Sequence, residues 1–434
     1  MMLDFCHNKA FLKIQHRQEY NLTFKRVVTN MSFPFKQFIE ESRNQGKSEK
    51  YIEECVSYIE KLESGGFPVI FSTVHLAILM KIQSDYLNFL IGERKNRTPS
   101  FSGIIGRSLP PWREDFKNNF SDFQFKIYKY KKFVIKKKRG GYREIMAPNR
   151  DLKYIQKWIL VNILSKYKLR DSCKGFRTGI SIYDNAKVHE FADCILKVDL
   201  LKFYDTITEK RVYGVFHSLG YAKNLSLSFA KICTFSHEKN FWNSLKTEEQ
   251  ILFSDHIETN PPILPQGSPC SPMLANIIAT TMDYRFEKLG IKQNFKYSRY
   301  ADDLTFSVKD GGKLPSLKYV KRIIQEEGFF VNEDKTSYMN KGTKQYVTGL
   351  TTTNGVNVSK KWRKELSKHI YHCKRVGVEK HLNYRKEFKG QFKNYSVLNY
   401  HDWLYGHICF INSINKVHSK KLLSDFNQIT WFLD

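Results

Sequence analysis

Acid is what this chain is short of. Its 434 residues carry 43 Asp and Glu against 71 Lys and Arg, a formal net charge of +28. A surface that basic draws polyanions, nucleic acid first. Long apolar runs are also missing. The longest, "FPVIFSTVHLAILM" (Phe67 to Met80), contains His75 and is too short to span a bilayer. No amphipathic, Lys-rich terminal helix offers a membrane-surface anchor. The N-terminus, "MMLDFCHNKAFLKIQ", has no signal-peptide apolar segment. Eight cysteines occur with no CxxC pair and no zinc-like spacing, which fits thiols used as small hydrophobes in a reducing compartment. No internal repeat or low-complexity tract interrupts the chain. The expectation is a cytoplasmic protein with no membrane partner.

What is present is apolar content enough for a substantial core, at 41% hydrophobic residues, and many aromatics. Residues 1–95 read as a helical N-terminal extension. In "SEKYIEECVSYIEKLESGG", Ile52, Val56, Ile59 and Leu62 share one helical face, Ser48 is an N-cap and Gly65-Gly66 a stop. The polar, proline-bearing stretch from Arg94 to Trp112 marks a boundary. "FKIYKYKKFVIKKKRGGYREIMAP" (Phe125 to Pro148) alternates, turns at Gly140-Gly141 and alternates again, a basic β-hairpin. An amphipathic helix follows at Asp151 to Tyr167. "CILKVDLLKFYDTI" (Cys194 to Ile207) reads as a strand, Pro265 to Gly290 as a proline turn and one long helix, "YSRYADDLTFSV" as a hairpin, and Leu317 to Met339 as a helix and a strand. That order is α+β: an antiparallel sheet with helices on one face. Residues 96–345 form this central unit. Residues 346–434 form a helical, basic end, with twelve Lys or Arg against three Glu between Lys360 and Tyr395. Trp362, Tyr371, Tyr384 and Phe388 are interleaved there, a composition suited to nucleic acid.

The hairpin tip places Asp302 beside Asp303. Asp199 ends another strand. Were the two strands neighbours, three carboxylates would converge, and cations would be needed against their repulsion. Mg²⁺ suits hard oxygen ligands and bridges substrate phosphates, and a pair of such ions serves phosphoryl transfer. The expected cofactor is therefore two Mg²⁺ ions, with a nucleoside triphosphate as substrate.

On these residues the chain resembles the reverse transcriptases. "YADD" (Tyr300 to Asp303) is similar to their YxDD box, and "DLLKFYDTI" from Asp199 to their first catalytic strand. "LPQGSPCSPMLANI" (Leu264 to Ile277), "KKKRGGYREIMAP" and "GFFVNEDKT" (Gly328 to Thr336) resemble their Gln-Gly turn, fingers hairpin and lysine-bearing strand. "NAKVH" (Asn185 to His189) and "VTG" (Val347 to Gly349) resemble two boxes of the retron type. The resemblance covers about Tyr128 to Ile414. It implies a right-hand polymerase with fingers, a palm and a thumb, RNA-directed DNA polymerase activity, and dNTPs as substrates. It also implies a cognate structured noncoding RNA copied into a branched RNA-DNA product, with that cDNA and a separately encoded effector protein as partners in anti-phage defence. A non-retron defence enzyme or an intron-derived one remains an alternative, as does a scaffold that holds nucleic acid and inhibits a toxic effector.

The resemblance also assigns roles. Asp199, Asp302 and Asp303 are catalytic, and with Leu200 they form the metal site. Lys137, Arg143, Tyr204, Gln266, Gly267 and Lys335 line the nucleotide pocket. Arg143 and Lys137 grip the triphosphate, Tyr204 blocks a 2′-hydroxyl, and Lys335 protonates the leaving pyrophosphate. Phe203 is expected on the strand face opposite Tyr204. Asn185 and His189, four apart on a helix, and Val347, Thr348 and Gly349 are assigned to RNA, although a scaffolding role for Asn185 and His189 is as consistent with the residues.

Overall fold

Among the described residues, apolar spacing in the N-terminal part becomes four short helices: α1 (Phe35–Asn44), α2 (Glu49–Ser64), α3 (Thr73–Met80) and α4 (Ser84–Ile91). The computed structural model describes residues 33–92, 129–136, 142–236, 247–254 and 261–431. As the pattern predicts, the Ser48 hydroxyl caps α2 by accepting from Tyr51 N, and Ile52, Ile59 and Leu62 are buried. These helices are not an appendage. Leu62, Leu76, Met80, Leu87 and Leu90 share one continuous core with Ile159, Phe216, Phe229, Leu196 and Phe306. The Tyr221 hydroxyl donates to the Pro68 carbonyl at 3.2 Å, and the Tyr154 hydroxyl to that of Met80 at 3.2 Å.

The basic hairpin pairs β1 (Tyr130–Lys136) with β2 (Tyr142–Pro148) in antiparallel register. Its expected glycine tip lies outside the described residues. Then come α5 (Arg150–Asn162), α6 (Ile182–Lys187), β3 (Cys194–Leu200), α7 (Glu209–Ser218), α8 (Lys223–Cys233) and α9 (Thr247–Ser254). The expected single long helix after the proline turn is two, α10 (Ser271–Ile278) and α11 (Thr280–Gln293). No Gly or Pro marks the break. Ala279, fully buried between them, leaves helical ψ, so packing sets the turn.

β4 (Lys296–Tyr300), β5 (Asp303–Val308), α12 (Leu317–Glu326) and β6 (Val331–Asn340) complete the palm. The sheet order is β4-β5-β3-β6, antiparallel throughout. Strand alternation then sorts the side chains. Leu196, Val198 and Leu200 on β3, with Leu304 and Phe306 on β5, enter the helix-covered core. Lys197 and Asp199 face the other way, with Asp303, Thr305 and Ser307 on β5. A second core begins with Ala186, Ala192 and Ile195. It continues through β7 (Tyr346–Val347), β8 (Leu350–Thr351) and the helices α13 (Lys360–Val376), α14 (Val378–Lys389), α15 (Val397–Asn412) and α16 (Lys416–Phe426). Among the described residues no helix is long and apolar enough to cross a membrane.

Because α3 belongs to the main core, Leu76→Ala should lower the stability of the whole polymerase unit by roughly 2–5 kcal/mol, the usual cost of such a cavity. Urea unfolding followed by far-ultraviolet circular dichroism measures it. Separate unfolding of the N-terminal helices, with the main transition unmoved, would refute a shared core.

Candidate active site

Pairing of β3 with β5 sets Asp199 directly opposite Asp303, and the β4–β5 turn carries Asp302. The Leu200 N–H donates to the Asp302 carbonyl at 2.8 Å, which fixes the turn against β3. The three carboxylates therefore share one region, as expected. Their mutual repulsion is visible. Burial, then the charges of Asp199 and Asp303, push Asp302 up to about 6. Burial also raises Asp303, against the pull of Lys197.

Two lysines stand against this charge. Lys335 Nζ lies 2.8 Å from Asp199 Oδ1, and Lys197 Nζ lies 2.7 Å from Asp303 Oδ2. Sequence reading missed Lys197. Its signal was present: it lies two residues before Asp199 on a strand, hence on the same face. Lys335, expected at the leaving group, is here an ion-pair partner of Asp199.

Among the described residues no three His, Cys, Asp or Glu side chains form a preformed metal cage. The donor set nevertheless fits hard divalent cations: it is all carboxylate, crowded, and carries a raised acid that a cation would return to its charged form. Leu200 can contribute only its carbonyl, since its side chain is buried in the core.

The turn is held from behind. Ala301 has a left-handed φ of +58°. Arg299, with no exposed surface, donates from Nη1 to the Ala301 carbonyl at 3.1 Å and to Asn276 Oδ1 at 2.9 Å. Its Nε and Nη2 grip Asp283 at 2.8 and 2.7 Å, and Tyr297 donates to the same carboxylate at 2.7 Å. Gly175 is needed here: a Cβ would sit 2.6 Å from Ala301 N. Of this set, sequence reading identified none. Arg299 and Asp283 are ordinary charged residues in a strand and a helix until the fold buries them together.

The nucleotide-pocket residues are placed as follows. β3 ends at Leu200, and residues 201–206 form turns rather than strand. The alternation expected of Phe203 and Tyr204 does not apply. Phe203 packs into the core, Tyr204 is half-buried, and their ring centroids are 5.5 Å apart. The Tyr204 hydroxyl is pushed up by burial first, then by Asp302, while Arg143 opposes. Tyr204 thus stands near both the catalytic turn and the exposed Arg143 of β2. The Gln266 carbonyl accepts from Met146 N at 2.8 Å. Gly267, at φ +128°, is closed in by β2: a Cβ would meet Ile145 and the Met146 carbonyl at 2.9 Å. Its close backbone approach is to the fingers hairpin. Lys137 lies outside the described residues.

The RNA assignments for Asn185, His189 and Val347 require correction. Asn185 is fully buried and His189 is 1% exposed, so neither side chain can meet RNA. α6 ends at Lys187, and His189 lies beyond it, yet both residues converge on β4. The Ser298 hydroxyl donates to Asn185 Oδ1 at 2.7 Å, so it accepts from His189 Nε2 at 2.7 Å, and Nδ1 accepts from Ser307 at 2.7 Å. They scaffold the catalytic hairpin. Val347 is buried in the second core. Thr348, at φ +47°, donates its hydroxyl to the Ile182 carbonyl at 3.2 Å, which joins the VTG turn to α6. Gly349, at φ +84°, has open space around its Cβ position.

A four-stranded antiparallel palm, with carboxylates at a hairpin tip and on the adjoining strand, and a basic hairpin packed on the Gln-Gly turn, defines a nucleotidyl-transferring polymerase. The model of the reverse transcriptase (RNA-dependent DNA polymerase) family matches residues 135–369, and the chain belongs to that family. The curated proteins it is similar to include retron reverse transcriptases. The retron Ec86 reverse transcriptase of Escherichia coli is 34% identical over 58% of this chain and 71% of its own length. The retron Mx65 and Mx162 reverse transcriptases of Myxococcus xanthus are 35% and 34% identical over 56% and 51% of this chain. The matched regions span about half of those two proteins, 55% and 46%.

Burial holds His189 down to about 3, and His369 and His381 in the second core to about 3 and 4. The unfolded chain, with ordinary histidines, binds more protons between these values and about 6.5. Stability should therefore fall as pH drops from about 6.5 towards 4. In His189→Gln that slope should be shallower by about one proton, roughly 1.4 kcal/mol per pH unit. Chemical denaturation at several pH values reads it, and an unchanged slope would mean that His189 is not buried neutral.

Proposed function

We propose that the protein uses this site to copy part of a partner structured noncoding RNA into DNA, giving a branched RNA-DNA product that acts with a separately encoded effector in anti-phage defence. The observation that carries the polymerase chemistry is the meeting of Asp199, Asp302 and Asp303 at one end of the palm sheet. Asp199 and Asp302, with Asp303 beside them, would hold two Mg²⁺ ions, which when bound activate the attacking hydroxyl and neutralise the leaving pyrophosphate. Lys335 and Lys197 hold the carboxylates in place in the meantime. Lys335, 55% exposed at its side chain, is free to swing toward a triphosphate. Arg143 offers a fork of donors to the phosphates. Tyr204, neutral and half-buried, presents a ring rather than a charge to the sugar.

Protein purified with its nucleic acid should carry RNA joined to DNA, a species shortened by either RNase or DNase. Asp302→Asn and Asp303→Asn should carry RNA alone and incorporate no dNTP on an RNA template, since template affinity rests on Lys and Arg. DNA in both variants would end this reading.

Tyr204→Val should raise the ratio of kcat/KM for rNTPs over dNTPs by roughly ten-fold or more, because the ring that would meet the 2′-hydroxyl is gone. An unmoved ratio would place the sugar gate on another side chain.

A further inference from the structure

We propose that Gln156 is a positioning residue that ties the fingers hairpin to the Gln266–Gly267 turn and so holds the two walls of the nucleotide pocket in register. The proposal rests on the reading that Arg143 of the hairpin, with this turn, receives a dNTP.

Gln156 lies on the apolar face of α5, among Leu152, Ile155 and Ile159, and has no exposed surface. An unpaired amide buried there would be costly. Its polar atoms instead reach segments that are distant in sequence. Nε2 donates to the Tyr130 hydroxyl at 2.8 Å and to the Ile232 carbonyl at 2.9 Å. Oε1 accepts from the Ser268 hydroxyl at 2.9 Å. Tyr130 opens β1 opposite Pro148 at the end of β2, so it marks the base of the fingers hairpin. Ile232 is in the last turn of α8. Ser268 directly follows Gly267. One side chain therefore joins the hairpin to the turn.

Seating of α5 does not depend on this amide. Leu152, Ile155, Trp158 and Ile159 already hold the helix in the main core. What Gln156 adds is the tie between the two walls. On the turn side, the Ser268 hydroxyl also accepts from Cys270 N at 3.3 Å, and the Cys270 thiol donates to the Gln156 carbonyl at 2.8 Å. The Ser271 hydroxyl closes the turn by donating to the Pro265 carbonyl at 2.7 Å. On the hairpin side, the Tyr130 ring lies 5.6 Å from that of Phe235, and Phe235 pairs with Ile263 just before the turn. A further tie runs from Met146 N to the Gln266 carbonyl at 2.8 Å. Arg143 lies beyond both ties along β2. A small shift at the hairpin base is thus carried to the guanidinium, where misplacement costs affinity for the triphosphate.

The test measures incorporation of dTTP by the full chain on oligo(dT)-primed poly(rA). Tyr130→Phe removes one oxygen and keeps the ring beside Phe235. Gln156→Leu removes the whole tie at similar volume. Both should raise KM for dTTP about three- to ten-fold, the factor that one neutral hydrogen bond is worth, with kcat kept within about two-fold. A purely structural role would lower the active fraction, and hence kcat, and leave KM alone. In an Arg143→Ala background the rise should shrink below about two-fold, because the hairpin then carries no guanidinium to misplace. A wild-type KM in either variant would overturn the proposal. So would a rise in KM that persists in full without Arg143. Should Gln156→Leu misfold, Tyr130→Phe decides alone. A wild type that incorporates no dTTP on RNA would overturn the polymerase reading and this proposal with it, whereas the other two outcomes overturn the proposal alone.

Discussion

The buried pair of Arg299 and Asp283 is the contact on which the catalytic geometry depends. A guanidinium with no exposed surface is costly unless all its donors are used. Here they are spent on Asp283, Asn276, the Cys173 sulfur and the Ala301 carbonyl. Burial alone would lower the Arg299 pKa, but Asp283 more than offsets it and holds the charge in place. Removing either partner would strand an unpaired charge, so the pair fixes a geometry more than it adds stability. That geometry is the left-handed Ala301 and, one residue on, the direction of Asp302.

β4 is gripped on both faces. Tyr297 and Arg299 point into the helix-covered core and meet Asp283. Ser298, between them, points the other way and meets Asn185 and His189. The two boxes that resemble the retron type thus act on the catalytic hairpin from its far side. Through Thr348 and Ile182 the VTG turn reaches the same short helix. One polar chain runs from the start of the thumb through α6 to the β4–β5 hairpin, and its buried members tie the two cores together.

At the open end of that sheet face the problem is reversed. Charge there is concentrated and only partly answered. Lys335 and Lys197 offset Asp199 and Asp303, while Asp302, with no ion pair among the described residues, is raised by burial first and then by Asp199 and Asp303. A carboxylate site kept short of positive charge is poised to take up cations.

Periodicity and spacing determined a good deal. Ser48 and the Ile52–Leu62 stripe defined α2, alternation defined β3 and the hairpin of β4 and β5, and the YADD, Asp199 and Gln-Gly motifs marked the candidate active site. Those signals are local, set by side-chain period, capping and turn chemistry, and they survive in the sequence alone. Other features exist only once distant segments meet. The break at Ala279, the end of β3 before Phe203, the shared core of the N-terminal helices and the burial of Asn185 and His189 follow from packing across the chain. Lys197 and Arg299 look alike in a strand sequence. The fold sends one to the carboxylates and seals the other behind them, because alternate side chains of a strand face opposite sides and only the tertiary structure decides what covers each.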